Sequence, residues 1–263
     1  MSDNLRKMIT KKTKQASPLH FRRIELKYLV PDRLIPVFID HLAPYVQPDS
    51  YLLEEGMGRT SYPVTSLYFD SIDLNSLQEK EAGLLSRRKL RLRTYGEYFT
   101  ERSPAFLEIK RRHDFVVSKD RLSLSVGHLK EGLPMSALID HVLGRVEASE
   151  EVYTEANLLR RWYNLVPTAL VNYQRIPFVG MQDRRFRITI DHHLKGAWKI
   201  PSLLGPQFIR SVHEGISVLE LKCNHAIPAW FHDCVKDLQM DRVAHSKYAM
   251  VVEGLRPAVA VEY

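Results

Sequence analysis

The sequence is poor in cysteine and has no long apolar run. Its 263 residues contain 2 cysteines, Cys223 and Cys234, too few for the disulfide framework of a small secreted scaffold. No stretch approaches the ~18 consecutive apolar residues of a membrane-crossing helix. The N-terminus MSDNLRKMITKKTKQASP is basic but lacks the apolar segment of a secretory signal, so the expected location is the cytoplasm, with any membrane association coming through a partner. There is no GxxxxGK[ST] and no glycine-rich turn after a strand, which excludes P-loop and dinucleotide folds. No nucleophile-elbow pattern surrounds any serine. Without a Gly/Ser linker or an internal repeat, one folded domain is expected over residues 19–258, after a disordered basic tail over 1–18.

The net charge of +7 raises the question of nucleic acid. Residues 1–18 carry five Lys/Arg and one Asp, so the tail supplies more than half of the excess and the body is only modestly basic. What matters is where the body's charges fall along the chain.

Several segments alternate apolar and charged residues with the period of a β-strand. In RRIELKYLV, Ile24, Leu26 and Tyr28 oppose Arg23, Glu25 and Lys27. In KLRLRTY, Leu90 and Leu92 oppose Lys89, Arg91 and Arg93, and in FLEIKRR, Leu107 and Ile109 oppose Glu108 and Lys110. VSKDRLSLSV, TALVNYQRIPFV, RRFRITIDHHL and SVLELKCNH continue the pattern. Helices are expected at PDRLIPVFIDHLAPY, at DLNSLQEKEAG with Gly83 as its stop, at LKEGLPMSALIDHVLG, at SEEVYTEANLLRRWYNL with a Ser149 cap, and at PAWFHDCVKDLQM. The fold class is α+β, strand-dominated, with helices on the outside.

The charged phase of these strands has a narrow composition. A wet sheet face mixes Ser, Thr, Gln, Lys and Glu, whereas here Lys and Arg recur on strand after strand with single glutamates among them. If the sheet curls into a barrel, that face is interior, where unpaired cations cost several kcal/mol each. A polyanion is the natural filler, since Arg presents a planar fork to phosphate oxygens and Lys a mobile point charge. Glu25, Glu108 and Glu220 lie in phase with the cations and are candidate ligands of a hard divalent metal. The bland alternative is that each pairs across strands with a neighbouring cation.

RRIELKYLV, VTSLYFDS, KLRLRTYG, FLEIKRR, VSKDRLSL, VNYQRIPFV, FRITIDHHL, VLELKC and HSKY occur in the order of the VTC domain. The chain resembles this polyphosphate polymerase branch of the triphosphate tunnel metalloenzymes, whose wider relatives are the CYTH domains, over about residues 19–255. The resemblance implies an eight-stranded antiparallel β-barrel, a tunnel for triphosphate or polyphosphate, with helices outside. It implies Mn2+ or Mg2+ as cofactor and transfer of the ATP γ-phosphate onto a growing polyphosphate chain. By position, Lys27, Arg91, Arg93, Lys110, Arg175 and Lys247 resemble the tunnel's phosphate-handling cations. Glu220 resembles its metal ligand, with Glu25 and Glu108 as further candidates. Arg23, Lys89, Lys119, Arg121, Arg187 and Lys222 are expected as additional substrate contacts. Arg23 stands where the CYTH triphosphatases usually open with a glutamate, which favours the polymerase branch. Ala244 stands where the family often has a basic residue, with Arg242 and His245 close by.

Two other readings stay open on the same residues: hydrolysis of triphosphate or polyphosphate, and a non-catalytic module binding polyphosphate or inositol phosphate. The expected partners are ATP and polyphosphate or triphosphate, with a membrane protein able to dock on the outer helices. Nucleic acid, suggested by Tyr95, Tyr98 and Phe99 beside basic strands, is disfavoured by the body's modest charge. Cys223, His225, His232 and Cys234 suggest zinc by spacing. However, His232 and Cys234 sit two apart on a helix, about 200° around its axis, and do not converge. His192 and His193 are read as exposed loop residues, with Asp191 able to orient a tunnel cation.

Overall fold

In strand β1, Ile24–Pro31, alternate side chains are buried: Leu26, Tyr28 and Val30 point to one face, and Glu25 and Lys27 to the other. The same two-residue period recurs around the sheet, and this is what makes one face apolar and the other charged. The structure is a computed structural model that describes residues 24–54, 60–96, 100–114, 116–129, 137–145, 150–199, 209–224, 226–244 and 246–256. The basic tail, Arg23, Tyr98, Phe99, His225 and His245 lie outside the described residues.

Among the described residues, ten strands form one antiparallel sheet. After β1 come β2 (Val46–Pro48), β3 (Tyr62–Asp70), β4 (Ser86–Tyr95), β5 (Pro104–His113) and β6 (Val116–Ser125). They are followed by β7 (Val166–Gly180), β8 (Arg187–Trp198), β9 (Arg210–Ser211) and β10 (Ile216–Cys223). Eight run side by side in the order β1-β10-β8-β7-β3-β4-β5-β6, while β2 pairs with β7 and β9 with β8. The expected barrel is therefore a strongly curled sheet whose end strands, β1 and β6, are not paired to each other. Side chains bridge the two edges instead: Lys110 of β5 donates to Glu25 of β1 at 3.2 Å.

Helices α1 (Ile35–Leu42), α2 (Ser50–Glu54), α3 (Asn75–Glu81), α4 (Leu138–Leu143), α5 (Glu150–Tyr163), α6 (Ala229–Asp237) and α7 (Lys247–Leu255) complete the fold. In α1, Pro36 sits in the first turn, where its missing N–H costs no bond, and Phe38 and Leu42, four apart, are fully buried. Each such burial contributes roughly 1.5–3 kcal/mol.

The sheet's outer face carries two apolar clusters. Leu67, Leu90, Leu92, Leu107 and Ile109 pack with α4 and α5, and Leu26, Val30, Ile188, Ile190, Leu219 and Leu221 pack with α1 and α6. Cys223 and Cys234 are buried in the second of these.

A third cluster is on the concave face, where α7 lies. Tyr248, Met250 and Val251 pack there with Val64, Val171, Tyr173 and Val218. No helix was read from the closing segment HSKYAMVVEGL, although Ser246 caps α7 by accepting the Ala249 N–H at 3.1 Å. Gly196 of β8 admits the helix: a Cβ there would lie 2.4 Å from Val251 Cγ1. One end of the interior is thereby filled with apolar side chains, and the charged face lies towards the other end.

Candidate phosphate-binding site

Strand pairing brings the charged positions into cross-strand rows. Lys27 stands opposite Glu220, and Glu25 opposite Lys222. Arg91 stands opposite Glu108 and Tyr68, and Arg93 opposite Ser66 and Phe106. Arg175 stands opposite Asp191 and Tyr62. The concave face thus gathers Lys27, Lys89, Arg91, Arg93, Lys110, Lys119, Arg121, Arg175, Arg187 and Lys222 from the strands and receives Lys247 from α7. Among the described residues, the carboxylates that pair with them there are Glu25, Glu108, Asp191 and Glu220.

Each carboxylate has a distinct task. Glu108 has a fully buried side chain and holds four cations: Arg91 at 2.7 Å, Arg121 at 2.6 Å, Lys119 at 3.1 Å and Arg93 at 3.9 Å. Burial alone would raise its pKa, but Arg91, Arg93, Lys119 and Arg121 outweigh burial and hold it well below the carboxylate range. Both oxygens of Glu108, a further metal candidate by sequence, are engaged by these cations and orient them. Asp191 takes Arg175 through both oxygens, at 2.6 and 2.8 Å, and Lys247 at 2.5 Å. Burial of Asp191 is likewise outweighed by Arg175 and Lys247, which keep it ionised.

Glu25 and Glu220 are placed differently. Glu25 lies beside Glu220, where burial is outweighed by Lys222 and Lys27, which hold the Glu220 carboxyl well below the usual carboxylate range, and two adjacent carboxylates need a cation between them. Lys222 lies 3.1 Å from Glu220, and Lys27 3.5 Å from Glu25. Thr189, directly opposite Glu220, leaves its buried hydroxyl without a partner. Two adjacent carboxylates and an unsatisfied hydroxyl fit a hard divalent cation that keeps water and phosphate oxygens in its remaining positions. No group of three His, Cys, Asp or Glu that could enclose a metal by itself occurs among the described residues.

The lysines are undercompensated. Lys89, Lys110 and Lys119 stand directly opposite one another across β4, β5 and β6, an arrangement of like charges that disfavours the sheet. Lys89 has no carboxylate within ion-pair reach among the described residues and rests over the Tyr248 ring at 4.9 Å. Burial pushes both Lys89 and Lys110 down to about 8.

Three contributors were not singled out in the sequence. Tyr68 accepts from Arg91 at 3.0 Å, and its phenol is brought down to about 7 because Arg91 and Arg93 outweigh burial. Tyr173 hydroxyl accepts from Arg175 at 3.2 Å and from Arg93 at 3.5 Å. Asp70 accepts from Tyr248 hydroxyl at 2.5 Å and from the Ser71 and Ser76 N–H groups at 2.8 Å, tying α7 to the β3–α3 junction. VTSLYFDS and VNYQR carry these residues in strand phase, but nothing in the alternation separates them from packing residues.

Not every expected contact is at the centre. Arg187 is more than half exposed and lies 3.8 Å from Asp49. His192 and His193 belong to β8 rather than to a loop. His193 is exposed, whereas His192 is partly buried with Nε2 unpartnered.

With this geometry in place, the VTC domain family model matches residues 22–256, and the chain belongs to that family. Its interior is accordingly a tunnel-type site for triphosphate and phosphoryl transfer. No curated protein matches the sequence. Solved structures of similar architecture include a candidate adenylyl cyclase from Hippeastrum described as having a dominant triphosphatase activity. It is 13% identical, with coverage of 92% of this chain and 98% of that one and a TM-score of 0.47. A candidate adenylate cyclase from Bacillus halodurans is 14% identical, with 85% and 93% covered and a TM-score of 0.47. No helix among the described residues is long and apolar enough to cross a membrane.

Proposed function

We propose that the protein is a polyphosphate-polymerase-type phosphotransferase that takes ATP and extends a polyphosphate chain. The observation that carries this reading is the cross-strand row Lys89–Lys110–Lys119, beside Arg91 and Arg93. Lys110 and Lys119 have Glu25 and Glu108 as partners and Lys89 rests over an aromatic ring instead, so the row is left with excess positive charge, which a chain of phosphates matches better than a single carboxylate.

The remaining chemistry is positioning and charge neutralisation. Arg91, Arg93 and Arg175 are held by Glu108 and Asp191 with their forks oriented before substrate arrives, so little reorganisation is needed when three phosphate oxygens gain charge. A terminal oxygen of the polymer attacks the γ-phosphorus of ATP, the bond to the β–γ bridging oxygen breaks, and ADP leaves with that electron pair. Lys247, anchored on Asp191, and Lys27, beside Glu25 and Glu220, stabilise the transferred group from the other side. Glu220 and Glu25 would hold Mg2+ or Mn2+, which supplies further neutralisation of phosphate charge when bound.

The test is incubation of the purified protein with ATP and Mn2+, following ADP, free phosphate and polymer together, beside Glu220→Ala and Arg91→Ala. ADP and polymer formed in step, and lost in both variants, are expected. Free phosphate without polymer would assign hydrolysis instead, and tight polyphosphate binding without turnover would assign a binding module.

A further inference from the structure

The end of the interior opposite α7 is rimmed by aromatic rings. Tyr51 of α2 meets Tyr62 of β3 edge to face at 4.9 Å, Tyr62 meets Tyr95 of β4 at 6.1 Å, and Tyr95 meets Phe106 of β5 at 5.9 Å. From Tyr62 to Phe106 the rings are in the same strand phase as the cations: Tyr62 stands opposite Arg175, and Phe106 opposite Arg93. Core aromatics of this fold, such as Phe38 and Tyr173, are 0% and 2% exposed, whereas Tyr51 is 38% exposed and the other three are half-buried. Tyr62 and Tyr95 pack against the third apolar cluster and still keep part of their surface exposed.

Resting on the reading of the interior as a phosphate tunnel, we infer that this aromatic rim is a stacking subsite for the nucleobase of the donor nucleoside triphosphate. The donor then enters by this end, triphosphate first. Tyr95 lies two residues from Arg93 on one strand face, about 7 Å along the strand, a separation that a ribose spans between a stacked base and the first phosphate. Tyr62 suits stacking because burial pushes its phenol up to about 12 and the ring stays neutral. Arg121 covers the Phe106 face at 4.3 Å, so stacking falls to the tyrosine rings, which have few fixed hydrogen-bonding groups, and the subsite accepts a purine without discriminating adenine from guanine.

The experiment compares binding of ATP, GTP and methyl triphosphate by calorimetry to the wild type, Tyr51→Leu and Tyr62→Leu. Methyl triphosphate carries the same phosphate ester without a base. In the wild type, ATP and GTP are expected to bind equally and on the order of 10-fold more tightly than methyl triphosphate, with that advantage lost in the variants while methyl triphosphate binding is unchanged. Equal binding of all three in the wild type overturns the subsite and leaves the tunnel reading standing. Equal loss of all three in the variants also overturns it, by making the rings structural. Failure of methyl triphosphate and ATP alike to bind the wild type would overturn the tunnel reading and the subsite with it.

Discussion

Asp191 of β8 holds both Arg175, from the neighbouring strand, and Lys247, from the first turn of α7, at 2.6 and 2.5 Å. One carboxylate thus joins the sheet wall to the helix that fills it. Replacing it by Asn takes the ion-pair partner from Lys247 and leaves Arg175 only the more distant Glu220, at 3.9 Å, a change that costs about 3–5 kcal/mol when a buried pair is broken. Asp191→Asn is expected to lower the urea midpoint accordingly and to lose phosphoryl transfer, because Arg175 and Lys247 are no longer held in place. An unchanged midpoint would show that Asp191 is not the anchor.

Glu108 offers a complementary measurement. Glu108→Gln leaves Arg91, Arg93, Lys119 and Arg121 facing one another across β4–β6. The unliganded protein is expected to lose several degrees in melting temperature, and inorganic tripolyphosphate is expected to raise it by more than in the wild type. The anion substitutes for the missing carboxylate by binding only the folded state. Equal ligand-induced shifts in the two proteins would contradict this.

The buried lysines set an opposed pH dependence. Lys89 and Lys110 titrate at about 8 in the folded chain because burial disfavours their charge, against 10.5 ordinarily. Between these values the unfolded state binds more protons, so stability without ligand rises with pH through that window, the cost of the two buried charges being fully present below pH 8. Tripolyphosphate affinity is expected to fall over the same window as the lysines lose charge. Calorimetric binding and thermal melts between pH 7 and 9.5 will show these opposite slopes, and Lys89→Met combined with Lys110→Met will reduce both, a residual rise in stability remaining from the Tyr68 phenol, brought down to about 7.

Helix α7 depends on one close approach. A Cβ at Gly196 would lie 2.4 Å from Val251 Cγ1, so Gly196→Ala is expected to cost about 1–3 kcal/mol by overpacking and to reduce turnover by loosening Lys247. Val251→Ala, added to it, should recover part of the stability. Failure of the second substitution to recover any would place the strain elsewhere.

Much of this molecule was readable along the chain. The period-two alternation in IELKYLV, KLRLRTY and FLEIKRR assigned strands, faces and the cationic phase, because side-chain direction in a strand follows from position alone. The expected cations from Lys27 to Lys222, Arg23 apart, fall on the concave face as a consequence. Alternation places the Glu108 carboxylate in phase with the cations without revealing how many of them turn toward it.

What the sequence by itself determined is which side chains share a face, because the strand period is local; the close approach of Gly196 to Val251 is a contact between distant elements. Tertiary structure alone decided which strands are neighbours and in what register. Only the register opposes Lys89, Lys110 and Lys119, sets Thr189 against Glu220, and brings Asp191 to Arg175. Those pairings come from residues far apart along the chain, and the packing of three apolar clusters selects them, with no local signal in the strands that meet.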